Sequence, residues 1–285
     1  MTRTLGVEVG FDQDVGRHLT VAVVIPSHNY AHFLPDAVTS VLEQTRRPDT
    51  VVIVDDSSTD GTQQVAERYA DSVRYIRIEA GGPSAARNAG AGVVDTDLVV
   101  FLDADDQLAP TFIERCVQVL PEDWDRHFVY THFRLFGNSE GVETAFPYDK
   151  ARLARSNFIH PASLLPRAEV ARIGYDESLR IGLEDWDLYL TLAEKGIEGI
   201  LVDEPLIYYR IHGDGVTVRL RRRPLRLFML RMHLLVKHRT LYRPAGAARQ
   251  ISDIMSLLVT DCEERYEVRR RSAKAWRLLW RMRKA

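Results

Sequence analysis

Two acidic blocks and one histidine carry residue types from which group-transfer chemistry can be built. Asp103-Ala104-Asp105-Asp106 follows directly on the apolar run Leu98 to Leu102. If the extended geometry of that run persists, Asp103 and Asp105 point the same way and reach one ion. Like charges packed so closely are unfavourable unless a cation or a proton relieves them. Hard oxygen ligands select Mg²⁺ or Mn²⁺, which bridges a few carboxylates to substrate phosphates. The simpler alternative is that these acids cap a helix starting near Pro110. That would absorb one Asp and leave a remainder.

The second block is Leu183-Glu184-Asp185-Trp186-Asp187-Leu188. If it opens a helix, Leu188, Tyr189 and Leu192 share the face of Asp185, which then points inward. A partly buried carboxylate gains the proton affinity of a general base, yet acids in a first helical turn also answer the helix dipole. Both readings stand. His212, after LIYYRI and before Gly213, fits a metal ligand, a base or a surface imidazole.

The elements that must position these groups are readable. Residues 20–25, 51–54, 73–78 and 98–102 are short Val/Ile-rich runs, as in buried strands of a parallel sheet. Between them Leu34, Val38, Val41 and Leu42 repeat at helical spacing, as do Val65, Ala66 and Tyr69 after a cap at Asp60 with Gln63 three residues on. The alternation predicts an α/β layered fold. Ligands of such sheets collect beyond the carboxyl ends of the strands. There the chain places Pro26-Ser27-His28-Asn29-Tyr30, Asp55-Asp56-Ser57-Ser58-Thr59-Asp60-Gly61 and Asp103 to Asp106. From about residue 128 come an aromatic-rich strand, a turn at Gly137-Asn138, a strand near 142–146, a helix at 184–195 and strand-like segments at 198–202 and 206–211.

Length and composition set the frame. The 285 residues are 45% hydrophobic and 27% charged, ordinary for a globular chain, which excludes disordered, collagenous and disulfide-scaffold classes. Cys116 and Cys262 are far apart with no CxxC nearby, which argues against a zinc site and fits a reducing compartment. Apolar stretches fall short of the ~18 residues of a membrane span and no basic-then-apolar leader opens the sequence, so a cytoplasmic protein is expected. Charge is uneven: residues 1–218 hold 19 basic and 35 acidic residues, net −16, and residues 219–285 hold 19 basic and 5 acidic, net +14. An acidic catalytic body at 1–218 with a basic amphipathic helical tail at 219–285 follows. Leu227, Leu230, Leu234 and Leu235 line one face of the tail, and Trp276 and Trp280 stand among arginines near its end. Such helices lie on an anionic membrane from its inner side, or pack on the body or a second subunit. No nucleic-acid-binding module is recognisable.

Six ordered segments, VVIPSHNYAHFLPDAVTSVLEQT, VVIVDDSSTDGT, GGPSAARNAGAG, LVVFLDADD, LEDWDLYL and YYRIHGDGVT, resemble the inverting glycosyltransferases of family two, which have the GT-A fold. The resemblance spans residues 20–217. It implies a mixed sheet flanked by helices and transfer of a sugar from a nucleoside-diphosphate sugar, UDP-linked by preference, to an acceptor hydroxyl. Pro26, Ser27, His28, Asn29, Asp55 and Asp56 would then hold the nucleotide, and Arg87 and Asn88 would sit near the diphosphate or sugar. Asp103-Ala104-Asp105 is similar to the DxD motif, with Asp105 and His212 ligating Mn²⁺ or Mg²⁺ and Asp103 contacting sugar or ribose. Asp185 in the Glu184-Asp185 pair matches the catalytic base. His28 stands where many relatives have Tyr, and Ser57-Ser58 replaces a common Gly-Ser.

Three other readings compete. A dehalogenase-type phosphatase also places DxD after an apolar strand, but near its N-terminus and without Gln107. A dinucleotide-binding dehydrogenase fits less, because Gly90-Ala91-Gly92 precedes a strand instead of following one. A nonenzymatic nucleotide-sugar-binding or partner-binding subunit would lack metal-dependent turnover. Residues 128–165, with Phe133, Phe136, Phe146, Tyr148 and His160, are the expected acceptor wall, for a lipid-linked or cell-envelope glycan or a small aglycone.

Overall fold

The computed structural model describes residues 18–180, 182–212, 223–242 and Ile251. Strands β1 (Val21–Ser27), β2 (Thr50–Asp56), β3 (Arg74–Ile78) and β4 (Leu98–Phe101) alternate with helices α1 (Leu34–Leu42), α2 (Thr62–Glu67) and α3 (Pro83–Val93). All seven residues of β1 are buried, which is why it reads as an unbroken apolar run: helices cover both faces of the sheet. One of them comes very close. A Cβ on Gly90 would lie 2.3 Å from Val24 Cγ1, so only glycine lets α3 press against β1.

β5 (Gln107–Leu108), α4 (Phe112–Gln118), β6 (His127–Gly137), β7 (Gly141–Glu143), α5 (Lys150–Arg155), β8 (Leu164–Pro166), α6 (Arg167–Ile173), α7 (Glu184–Glu194), β9 (Glu198–Ile211) and α8 (Pro224–Lys237) complete the described strands and α-helices. The sheet order is β3-β2-β1-β4-β8-β6-β9-β5, with β7 beside β6. β1 to β4 are parallel, β8 is antiparallel to both β4 and β6, and β9 is parallel to β6. Two reversals cancel, so β9 runs with β1, β2 and β4 and delivers its C-terminal end to the same edge of the sheet.

Local outcomes differ from the pattern in three places. The segments expected as two strands at 198–202 and 206–211 are one strand whose register slips where Thr131 pairs with Val202 and His132 with Pro205. Asp203-Glu204-Pro205 is a bulge, and Pro205 cannot donate to a ladder. At α2 the expected capping box does not form: Asp60 accepts from the Thr62 N–H at 3.0 Å, but Gln63 turns to Glu67. At α4 the N-cap is Thr111, with no side-chain cap, so none of the three Asp residues before it caps that helix.

α8 packs on the body. Leu234 and Leu235 are buried, His238 Nε2 and Lys237 Nζ each lie 2.9 Å from Asp187, and the Tyr242 hydroxyl donates to the Ala154 carbonyl at 2.6 Å. For residues 223–242 this is one of the placements that the sequence leaves open. The outward face keeps Leu225, Met229 and Val236 at 68%, 61% and 62% exposure. Trp276, Trp280, Cys262 and Gly213 to Thr217 lie outside the described residues. Among those described, no helix is long and apolar enough to cross a membrane.

Candidate active site

The loops after β1 and β2 are stitched into one wall. The Asn29 side-chain carbonyl accepts the Thr59 N–H at 2.8 Å, its backbone N–H donates to Ser58 Oγ at 2.9 Å, and the Ala31 N–H donates to Asp60 at 3.0 Å. Asn29 (φ 60°) and Ser57 (φ 56°) both hold left-handed backbone, the local strain that functional loops carry. His28 Nδ1 lies 2.6 Å from the Asp56 carbonyl oxygen, so that nitrogen carries the proton and Nε2 accepts from the Asn29 amide at 3.2 Å. Pro26 and Ser27, expected in this loop, are the last residues of β1, paired with Val54 and Asp55.

The two adjacent acids after β2 have different environments. Asp55 is fully buried and accepts from Ser58, Tyr75 and Arg77 at 2.7, 2.6 and 2.6 Å. Burial alone would raise its pKa, but these donors and the Arg77 charge hold it below the ordinary value. Both oxygens hold partners from within the protein, so Asp55, expected beside the nucleotide, ties the loop after β2 to β3. Asp56 accepts the N–H groups of Gly81 and Gly82 at 2.7 and 2.9 Å, tying β2 to the turn before α3. Gly82 has φ +85°, a conformation glycine supplies without strain.

Arg87 is the electrostatic hub. Its side chain is 3% exposed and donates to Asp103 at 2.7 Å and to Glu184 at 2.8 Å, with its guanidinium over the Tyr175 ring. Burial opposes the charge, but the two carboxylates keep its pKa well above the usual value. Asn88, expected beside it near the donor, clasps residues 175–177: its Nδ2 donates to the Tyr175 carbonyl and to Glu177, and its Oδ1 accepts the Tyr175 N–H. Asn88 is a tether between α3 and that segment.

β4 ends at Phe101, and the Asp106 N–H donates to the Asp103 carbonyl, so residues 103–106 form a turn rather than the extended strand expected. Asp103 faces Arg87, whereas Asp105 Oδ2 meets His212 Nε2 at 2.8 Å. Burial and the Asp103 charge raise the Asp105 pKa, and His212 works against them. The arrangement is fixed from β9. Arg210 donates its backbone N–H to Asp106 at 2.9 Å and its Nε to the Asp105 carbonyl at 2.9 Å, stacked between Phe33 and Phe136. Ala104 is buried and serves as spacing. Among the described residues no three metal-binding side chains converge. A carboxylate oxygen touching an imidazole nitrogen still suits a hard divalent ion that completes its shell with phosphate oxygens.

Leu183, left-handed at φ 70°, turns the chain into α7, and Glu184 and Asp185 open that helix. Asp185 is half-buried and accepts from Asn157 Nδ2 at 2.9 Å. Its pKa is pushed up to about 6, first by burial and then by the Glu184 charge. Leu188, Tyr189 and Leu192 are buried as expected, but so are Glu184, Trp186, Asp187 and Leu190, and Asp185 is the less covered member of that first turn. Of the expected acceptor wall, His160 belongs to the core, its ring 5.2 Å from both Phe133 and Tyr209, while Phe146 stays 48% exposed under Arg152. Asn157 and Arg210 were not singled out from sequence, and Asp106 only as a member of its acidic block. Arg210 had a signal, near the end of β9 and two residues before His212, and Asn157 had none.

The architecture is the GT-A fold, and residues 22–162 match the family described as Glycosyl transferase family 2. The chain belongs to that family. An uncharacterised glycosyltransferase of Nostoc sp. is 38% identical over 214 residues, 68% of this chain, and one of Rickettsia prowazekii is 31% identical over 211 residues, 69% of this chain. The chain spans 66% and 65% of their lengths, just under two thirds. Staphylococcus aureus TarS 1–349 in complex with UDP superposes with a TM-score of 0.63 at 19% identity, covering 83% of this chain and 71% of that one. The mannosyltransferase of Pyrobaculum calidifontis in complex with GDP-Man and Mn²⁺ gives 0.61 at 18% identity, covering 86% and 75%.

Proposed function

We propose that this chain transfers a sugar from a nucleoside-diphosphate sugar, UDP-linked by preference, to an acceptor hydroxyl with inversion at the anomeric carbon. The reading rests on one continuous array: His212–Asp105 at 2.8 Å in the turn that carries Asp103, then Asp103–Arg87–Glu184 to Asp185 on the same edge. The stitched loops of His28, Asn29 and Asp56, with Pro26 and Ser27 behind them, form the nucleotide wall. Asp103 and Arg87 face the sugar and diphosphate. Asp105 and His212 would hold Mn²⁺ or Mg²⁺, which when bound neutralises diphosphate charge.

Asp185 takes the acceptor hydroxyl proton, the oxygen lone pair forms the bond to the anomeric carbon, and the bond to the diphosphate oxygen breaks with its electron pair. A carboxylate with pKa about 6 is ionised at neutral pH yet basic enough for this role. The Arg87 guanidinium pairs with both Glu184 and Asp103 and so ties the base's helix to the turn after β4.

The test is nucleotide release from UDP-GlcNAc, UDP-glucose and GDP-mannose with Mn²⁺ and a panel of hydroxyl acceptors. Acceptor-stimulated release from one donor is expected. Inorganic phosphate from simple phosphoesters would favour the phosphatase, and binding without turnover a nonenzymatic subunit.

The outer face of α8 supports one addition. Leu225, Met229 and Val236 stand exposed beside Arg226, in a segment of net charge +14, which suits an anionic membrane surface carrying a lipid-linked acceptor. Sedimentation with anionic vesicles should fall when the three are changed to Gln. Equal sedimentation would remove this addition and leave the transferase reading untouched.

A further inference from the structure

Asn157 sits just beyond α5, in the loop that leads to β8. Its side-chain carbonyl accepts the Ile159 N–H at 3.0 Å, and its Nδ2 lies 2.9 Å from Asp185 Oδ2. These two contacts fix the amide orientation. A flipped side chain would set a carbonyl oxygen against a carboxylate and an NH₂ against an N–H. Ile159 is buried at 3% exposure, so the backbone group that aims the amide is anchored in the core. Four residues before Asn157, the same segment holds the helix of Asp185: Trp186 Nε1 donates to the Leu153 carbonyl at 2.7 Å.

We propose that Asn157 is a positioning residue for the transfer reaction, holding Asp185 in one rotamer as a carboxylate, with Oδ2 occupied and Oδ1 left to take the acceptor proton. The inference rests on the assignment of Asp185 as base. Asn157 gives the one side-chain hydrogen bond to the Asp185 carboxylate among the described residues, beside a backbone contact from Trp186 N–H. The charged groups around Asp185 come from several elements: Glu184 beside it on α7, Arg87 on α3 and Asp103 after β4, with Tyr175 and Tyr189 also close. Arg87 is shared between Asp103 and Glu184 and makes no hydrogen bond to Asp185. Asn157 therefore supplies the side-chain donor that favours the ionised base, and it does so without adding charge.

The experiment is carboxyl ¹³C NMR titration of Asp185 in the full chain, assigned through Asp185→Asn, in wild type, Asn157→Leu and Asn157→Asp. Asn157→Leu removes both contacts. Asn157→Asp keeps an acceptor for the Ile159 N–H, so the loop is preserved while the donor is lost and a like charge gained. Loss of a hydrogen bond to a charged group should move the Asp185 titration upward by about one pH unit, and further in Asn157→Asp. Nucleotide release should show the same upward displacement of its acidic limb, with the donor KM unchanged. An unmoved titration in a folded Asn157→Asp would overturn the inference, as would lowered turnover at every pH with no displacement. Full turnover by Asp185→Asn would instead remove the base assignment, which separates the two failures.

Discussion

Arg87 Nη1 lies 2.8 Å from Glu184 Oε1, a contact across 97 positions of sequence that locks the first turn of α7 against α3. The same guanidinium holds Asp103 at 2.7 Å. One buried cation thus sets the spacing between the turn after β4 and the helix that carries Asp185. Replacing Arg87 by Met should lower the unfolding free energy by about 3–5 kcal/mol, because two carboxylates lose their partner in a largely buried site. Urea denaturation measures this. A loss below ~1 kcal/mol would mean that Glu184 and Asp103 find water instead.

Asp185→Asn should reduce turnover by about 10²–10⁴ while nucleotide affinity stays near wild type. The same substitution should raise the melting temperature by roughly 2–4 °C, since it removes a carboxylate that folding partly desolvates. Near-normal turnover would discard Asp185 as base.

Asp185 also sets the acidic limb. Its folded pKa is raised to about 6, so kcat/KM should fall about tenfold per pH unit below that value. The raised value means that the folded chain binds this proton more tightly than the unfolded one. The Asp185 contribution to stability therefore declines between the unfolded value of 3.8 and about 6. Asp185→Asn should abolish this decline, read from melting temperature against pH.

His238 gives the opposite end of the pH scale. Burial alone would lower its pKa, but hydrogen bonds to Asp187 and Glu194 raise it above 6.5. Its stabilisation of the α8 docking is complete below 6.5 and is lost as pH rises through the raised folded value. Melting temperature should decline above that range, and His238→Gln should flatten the decline. A wild-type profile parallel to that of the variant would dismiss the histidine from this role.

Strands β1, β2 and β4 were legible because burial on both faces writes them as continuous apolar runs. The loops at their ends were legible as polar blocks for the same reason. What each acid does there was not. Asp55 and Asp56 are neighbours in sequence, yet strand alternation turns one into a cage of Ser58, Tyr75 and Arg77 and the other toward Gly81 and Gly82. The tether that Asn88 makes to Tyr175 was not legible either, because a helix sends adjacent side chains about 100° apart and Tyr175 lies 87 positions away. Asn157 left no trace because its partner lies 28 residues away in another element. The C-terminal helix was legible as amphipathic, whereas its docking depends on the buried Asp187–His238 contact, which no local pattern encodes.

The most direct test of the central claim is calorimetric binding of UDP, GDP, dTDP and CDP to the full chain, with and without Mn²⁺, repeated on Asp105→Ala. Expected is binding of one nucleotide that strengthens with Mn²⁺ and loses that strengthening in Asp105→Ala, as the Asp105–His212 contact at 2.8 Å requires. Absence of binding by all four nucleotides, or equal binding by the variant with Mn²⁺, would contradict a nucleotide-sugar site at this edge of the sheet.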